Sequence, residues 1–187
     1  MAQKKKDWNG LISGFKASDL VFLDESGCNT DMTRRYAYSL GGSNAVDSAP
    51  LSKPKNTTIL SSIQLDGTLR YTTFSGGTTV ERFKRYLETD LLPHLNGNSV
   101  LIMDNMKSHH AKAVRNLLDS SGVRYIYLPP YSPDLNPIEK LWSKVKAFLR
   151  KFKARTLDAL PNAIQNAFHS VTVSDCSGWF RFCGYAL

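Results

Sequence analysis

The chain has 187 residues, a formal net charge of +8 and a hydrophobic fraction of 42%, enough for one sizeable core and with nothing that demands a second. No apolar run approaches the ~20 residues a membrane helix needs, and Met1–Asp7 lacks the apolar stretch of a secretion signal, so the expectation is a cytoplasmic protein with no membrane partner. Cys28, Cys176 and Cys183 are odd in number and include no C-x-x-C, which argues against a disulfide framework or a zinc knuckle and leaves them as small apolar residues.

Residues 1–17 carry three consecutive lysines, Gly10 and Gly14 and show little periodicity, so they read as a basic arm or linker ahead of a domain spanning residues 18–187. Residues 20–24 (LVFLD) form a short apolar run ending in acids, the pattern of a buried strand that delivers a carboxylate. Neighbours on a strand face opposite ways, so either Asp24 or Glu25 can be the one delivered. Residues 35–40 are expected as a further strand, followed by an irregular Gly/Ser/Pro-rich stretch to Pro54. Residues 57–65 and 69–74 flank Asp66-Gly67, a hairpin signal because the tight turn requires positive φ. Thr78-x-x-Glu81 has the form of a capping box, and Val80, Phe83, Leu87 and Leu91 follow at helical spacing. Residues 100–103 are all apolar, the mark of a strand covered on both faces. Asp104 follows at the carboxyl end, where open α/β sheets place their sites. His109 and His110 are adjacent, which makes them poor co-ligands for one metal, and they read as loop residues. A helix with Ala111, Val114, Leu117 and Leu118 on one face then stops at Gly122, and residues 123–128 (VRYIYL) form a strand.

Residues 128–142 read LPPYSPDLNPIEKLW, a loop stiffened by Pro129, Pro130 and Pro133 that enters a helix at Asn136-Pro137. Asn136 is the expected N-cap and Glu139 the third helical residue. Two readings of Glu139 stand side by side: a capping box that satisfies the helix start, or a carboxylate delivered to a site by a rigid loop. From Pro137 to about Phe152 an apolar stripe is formed by Ile138, Leu141, Trp142, Val145, Phe148, Leu149 and Phe152, with Trp142 read as core. Glu139 falls about 120° from the stripe's centre, at the border between core and solvent. Lys140, Lys144, Lys146, Arg150, Lys151, Lys153 and Arg155 stand against Glu139 alone in residues 138–155. Such a stripe is either a solvated face or a surface for a phosphate backbone, and its place beside the acidic run favours the second. A helix over residues 157–168 precedes an aromatic tail. The order of elements implies an α/β fold, a mixed five-stranded sheet with helices on both faces.

The run SPDLNPIEKLW resembles the third acidic motif of the DDE transposases of bacterial insertion sequences, in the mariner-like superfamily. VFLDESG (residues 21–27) and LIMDNMKSHH (residues 101–110) resemble the family's first and second acidic motifs, and the tail WFRFCGY (residues 179–185) is similar to its ending. Thirty-four residues lie between Asp104 and Glu139, the spacing of the bacterial branch. The resemblance covers nearly all the chain from Asp19 on. It departs at residues 37–49, where the family carries a basic loop.

The resemblance implies a ribonuclease H-like catalytic domain with Asp24, Asp104 and Glu139 as catalytic residues and ligands of magnesium, or manganese as a substitute. Clustered carboxylates repel one another unless cations neutralise them, and hard oxygen ligands suit these two ions. The implied reaction is metal-dependent strand cleavage and strand transfer in cut-and-paste DNA transposition by a two-metal in-line displacement. Its partners would be double-stranded DNA, touched by Lys140, Lys144, Lys146, Arg150, Lys151, His109 and His110, and further copies of the chain assembled on that DNA. In the family a helix-turn-helix region precedes the catalytic domain, so an upstream DNA-reading half is also implied, as is association with the bacterial nucleoid. The alternatives are a non-catalytic DNA-binding regulator derived from a transposase, and another nuclease of the same fold such as a resolvase.

Overall fold

Apolar and β-branched runs set apart by turn signals become five strands in the computed structural model, which describes residues 2–33, 36, 38–46, 48 and 55–185. They are β1 (Leu20–Cys28), β2 (Thr57–Ile63), β3 (Leu69–Ser75), β4 (Val100–Met103) and β5 (Arg124–Tyr127), hydrogen-bonded in the order β3-β2-β1-β4-β5. The first three pair antiparallel, while β4 joins β1 and β5 joins β4 in parallel. Parallel neighbours need a crossover, and helix α3 (Lys112–Ser121) supplies it between β4 and β5. Tyr36, Tyr38, Ser39 and Leu40, from the strand expected over residues 35–40, are exposed and lie outside any strand. Arg35 and Ala37 lie outside the described residues, as do residue 47 and residues 49–54 of the stretch expected to be irregular.

Alternation along the central strands sends side chains into two separate cores. Leu20 and Phe22 of β1, with Val100 and Ile102 of β4, meet α1 (Ala2–Ile12), α4 (Ile138–Phe152), α5 (Ala159–His169) and α6 (Val173–Phe182). Val21 and Leu23, with Leu101 and Met103, meet α3 and α2 (Val80–Tyr86), the latter continued by a π-helical turn through Leu91. Each such side chain removed from water contributes about 1.5–3 kcal/mol, so both faces of the sheet must be covered by helices. Cys28, Cys176 and Cys183 are buried in the first core, as small apolar residues. Among the described residues no helix is long and apolar enough to cross a membrane.

Several local expectations give way to packing. Residues 2–12 are a helix and not a free arm, because Trp8 and Ile12, four apart on one face, dock in the first core and Trp8 Nε1–H donates to the Tyr185 hydroxyl at 3.2 Å. The N-cap of α2 is Thr79, whose hydroxyl accepts from Arg82 N–H; Thr78 instead donates to the Glu25 carboxylate. Phe152 is 48% exposed, so the buried stripe of α4 ends a turn earlier than its sequence pattern. The aromatic tail is helical over α6, started by a capping box in which Thr172 and Asp175 satisfy each other's backbone N–H.

The hairpin joining β2 to β3 turns as its Asp-Gly pair requires, with Gly67 at φ +88° and its Cα facing α6: a Cβ there would lie 3.1 Å from Val173 Cγ2. Gly67→Ala therefore combines a left-handed backbone penalty with a close contact. It should lower stability by about 1–2 kcal/mol in denaturant unfolding, whereas Gly97→Ala, in open space, should not.

Candidate active site

The parallel pairing of β1 with β4 ends at Leu23 opposite Met103, and from Asp24 onward β1 continues with β2 alone on that part of its edge. A crevice opens there, at the carboxyl ends of β4 and β5, which is where the chain turns into the loops carrying Asp104 and Pro129. It forms a cleft of about 690 Å³ whose lining includes Asp24, Asp104, Glu139, Asn136 and Lys146. The three acids singled out in the sequence thus come from a strand, a strand-to-helix loop and the first turn of α4, and they surround one space. Among the described residues no three His, Cys, Asp or Glu side chains are drawn together tightly enough to make a ready-made metal cage.

Asp24 lies on the β1 face that looks toward α4, 8% exposed and in the middle of a strand that runs four residues past it. Three N–H groups hold its carboxylate. The Glu25 backbone donates to Oδ1 at 2.7 Å, while Trp142 Nε1 and Asn136 Nδ2 donate to Oδ2 at 3.3 and 3.5 Å. Burial pushes the Asp24 carboxyl up to about 7, with the charges of Asp104 and Glu139 adding to the rise and the Glu25 and Trp142 N–H groups opposing it. The role of Asn136 therefore differs from the expected N-cap. No side-chain cap starts α4, which begins after Pro137 with Glu139 N–H bonded to the Asn136 backbone carbonyl at 3.1 Å. Its amide points at Asp24, and its Oδ1 is buried without a hydrogen-bond partner. With no capping box, Glu139 is left exposed on the rim of the cleft, its carboxylate uncommitted to the helix start.

Asp104 is the partly exposed member. Burial acts to raise its carboxyl, but the His109 hydrogen bond and charge, with the Met106 N–H, outweigh it and hold the group below the usual carboxylate value. His109 Nδ1 lies 2.8 Å from Asp104 Oδ1, and its ring stacks on Phe83 at 4.2 Å between centroids. His109 is 0% exposed, so it cannot be the surface contact expected from the sequence; it is the inner support of Asp104. His110 remains at the surface, stacked on Tyr127 and bonded to Asn105 Oδ1 at 3.2 Å. Glu25, the alternative carboxylate, also lines the cleft, but its carboxylate lies toward the second core's side, where it accepts from Thr78.

The basic stripe of α4 divides. Lys146 lines the cleft, whereas Lys144 is bound to Asp175 at 2.5 Å and Lys140 lies 3.8 Å over the Phe182 ring. Arg150 and Lys151 follow on the outer turns, the latter exposed. Arg155 points inward and donates to the backbone carbonyls of Thr30 and Met32, fixing the segment that follows β1.

A family model described as DDE superfamily endonuclease matches residues 19–161. The Transposable element Tc1 transposase of Caenorhabditis elegans is 30% identical over 97 residues, 50% of this chain and 36% of that protein. Among solved structures, the Mos1 transposase paired-end complex with left transposon end superposes with a TM-score of 0.78 at 20% identity, covering 95% of this chain and 57% of that one. The Mos1 transposase catalytic domain with Raltegravir and Mg does so with a TM-score of 0.67 at 18% identity, covering 94% of this chain and 82% of that one. The fold is thus that of the Mos1 catalytic domain, the ribonuclease H-like sheet expected from the acidic motifs. The chain spans 36% of the Tc1 protein and 57% of the Mos1 chain in the paired-end complex.

Because burial pushes the Asp24 carboxyl up to about 7 from the ordinary 3.8, the folded state holds an extra proton between those values, and stability falls as pH rises across them. Asp24→Asn removes the charge, so its stability relative to the parent should increase by about 2–3 kcal/mol between pH 5 and pH 8 in denaturant unfolding. A constant difference would show that Asp24 is not buried as a charge. Trp142→Phe keeps an aromatic ring but removes the donor and part of the indole; beyond a packing loss that is the same at every pH, it should cost about 1 kcal/mol more at pH 8 than at pH 5, where Asp24 is protonated.

Proposed function

Since the chain belongs to the DDE superfamily endonucleases, we propose that it is the catalytic part of a cut-and-paste transposase, which cleaves DNA at an element's ends and joins the freed 3′ ends to target DNA. The observation that carries this reading is the meeting of Asp24, Asp104 and Glu139 around one cleft. Every donor among them is a hard oxygen, the set suited to magnesium, with manganese as a substitute. The raised Asp24 carboxyl marks a place short of positive charge, and the unpartnered Oδ1 of Asn136 lies buried beside it, so the residues present fit a divalent cation. Asp24, Asp104 and Glu139 would hold a pair of such ions, which supply Lewis-acid chemistry on both sides of an in-line displacement at phosphorus.

The chain's own residues do the positioning. Trp142, Asn136 and the Glu25 N–H fix the Asp24 carboxylate, and His109 fixes that of Asp104. Lys146 sets one positive charge in the cleft wall, where a phosphate has to approach three acids. Lys140, Arg150 and Lys151 extend the positive face along α4, and His110 sits at the surface beyond Asn105. Lys144, already paired with Asp175, has less to offer a phosphate. The DNA-reading half that would precede this domain, and the assembly of further copies of the chain on paired DNA ends, such as the Mos1 complex is named for, belong to the same proposal.

Glu139→Gln tests it. With no side-chain cap to lose, the variant should unfold at the parent's denaturant midpoint, while magnesium-dependent cleavage of element-end DNA should fall about a hundredfold or more. Asp104→Asn should lose cleavage equally yet bind DNA at least as well, having shed one charge facing the phosphates. Cleavage by the Gln variant at the parent's rate would remove Glu139 from the site. A parent that binds DNA but never cuts it would favour the regulator.

A further inference from the structure

The loop between β5 and α4 is fastened at both ends. Leu128 N–H donates to the Met103 carbonyl at 2.8 Å and its carbonyl accepts from Asn105, while the Leu135 carbonyl accepts from the Tyr185 hydroxyl at 2.6 Å. Between these anchors stand Pro129, Pro130 and Pro133, which leave the backbone few alternatives. At the tip sits Tyr131, 97% exposed and lining the same cleft as the three acids.

Its backbone lies at φ +58°, in the left-handed region where glycine and asparagine are ordinary and a bulky aromatic is an outlier. Only one other described non-glycine residue has a positive φ, and that one has a structural reason. Lys153, at φ +56°, ends α4 by donating its N–H to the Leu149 carbonyl, the usual left-handed helix stop. Tyr131 ends no helix, and the strain secures no packing for its ring, which stands in solvent. A stiff loop that holds an aromatic ring outward in an unfavourable backbone state, beside a reactive cleft, is the arrangement expected when the ring itself is used.

We propose that Tyr131 is a stacking platform for one unpaired nucleobase next to the phosphate held in the cleft, a proposal that rests on the endonuclease reading above. Among the described residues the cleft wall carries carboxylates and a single lysine, so a phosphate there depends on the cations the acids would hold, whereas a contact to the base does not. The base is the neutral, planar part of a nucleotide, and a phenol ring binds its face whatever the sequence. Tyr131 thus fixes the register of the strand without contacting the reacting atoms.

The test is fluorescence anisotropy, in calcium to prevent cutting, on a short duplex carrying a single-stranded 3′ extension and on versions made abasic at each extension position in turn. Tyr131→Phe should match the parent, and Tyr131→Ala and Tyr131→Gly should bind the intact extension about tenfold to a hundredfold more weakly. At one abasic position the parent and the Ala variant should bind alike. Tyr131→Gly should melt at or above the parent's temperature, since glycine relieves the backbone, which separates a lost contact from a damaged loop. Equal affinity of parent and Ala variant on the intact extension, or the same loss on every abasic DNA, overturns the stacking role and leaves the endonuclease reading standing. A parent that binds no DNA at all overturns both.

Discussion

A carboxylate placed where water hardly reaches governs this structure. Asp24 is 8% exposed in the central strand, with Asp104 and Glu139 near enough to act on its charge. Burying an ionised group is costly unless hydrogen bonds or a counter-charge compensate it. The protein supplies the bonds from its backbone at Glu25 and from the side chains of Asn136 and Trp142, but no cationic side chain bonds to Asp24 among the described residues. The unmet remainder is the imbalance that, in the proposed function, a divalent cation would meet.

That constraint explains why Asn136 and the indole N–H of Trp142, in the run from Leu128 to Trp142, look inward. The run is a wall of the cleft, the bearer of Glu139 and the holder of Asp24, and its far end is tied by the Tyr185 hydroxyl to the first core. On the opposite side of the sheet, His109 does for Asp104 what Trp142 does for Asp24, supported by the ring of Phe83 in the second core. Each of these two acids is thereby referred to a different core, one on each side of the sheet.

Much of this was legible in the residues. The all-apolar run before Asp104, the Asp-Gly turn and the stripe of α4 led to the mixed five-stranded sheet, and the acidic motifs led to the residues that do line one cleft. What escaped was every double role. Hydropathy treats Trp142 as apolar and passes over its N–H; Asn136 before Pro137 fits a cap so well that its side chain's other use leaves no local mark. His109 is the loop residue it looked like, but its burial escaped because its partners, Asp104 and Phe83, are brought together only by the fold. Residues 2–12 lack a strong helical pattern, with Gly10 among them, and owe their helix to the docking of Trp8 and Ile12. The capping box of α6 was present in the letters, but with Asp175 where Glu or Gln is the usual sign.

The hydroxyl of Tyr185 has a bearing on how the protein is made. It joins Trp8, near the start of the described chain, to Leu135, next to the cleft-lining Asn136, and its ring packs on Phe22 at 5.0 Å. A ribosome emits residues in order, so α1, the sheet and all three acids are outside before this clamp can close. A nascent or truncated chain carries the acids without the clamp that seats the wall holding Asp24. Seating of that wall therefore waits on a residue that follows all three acids in the chain.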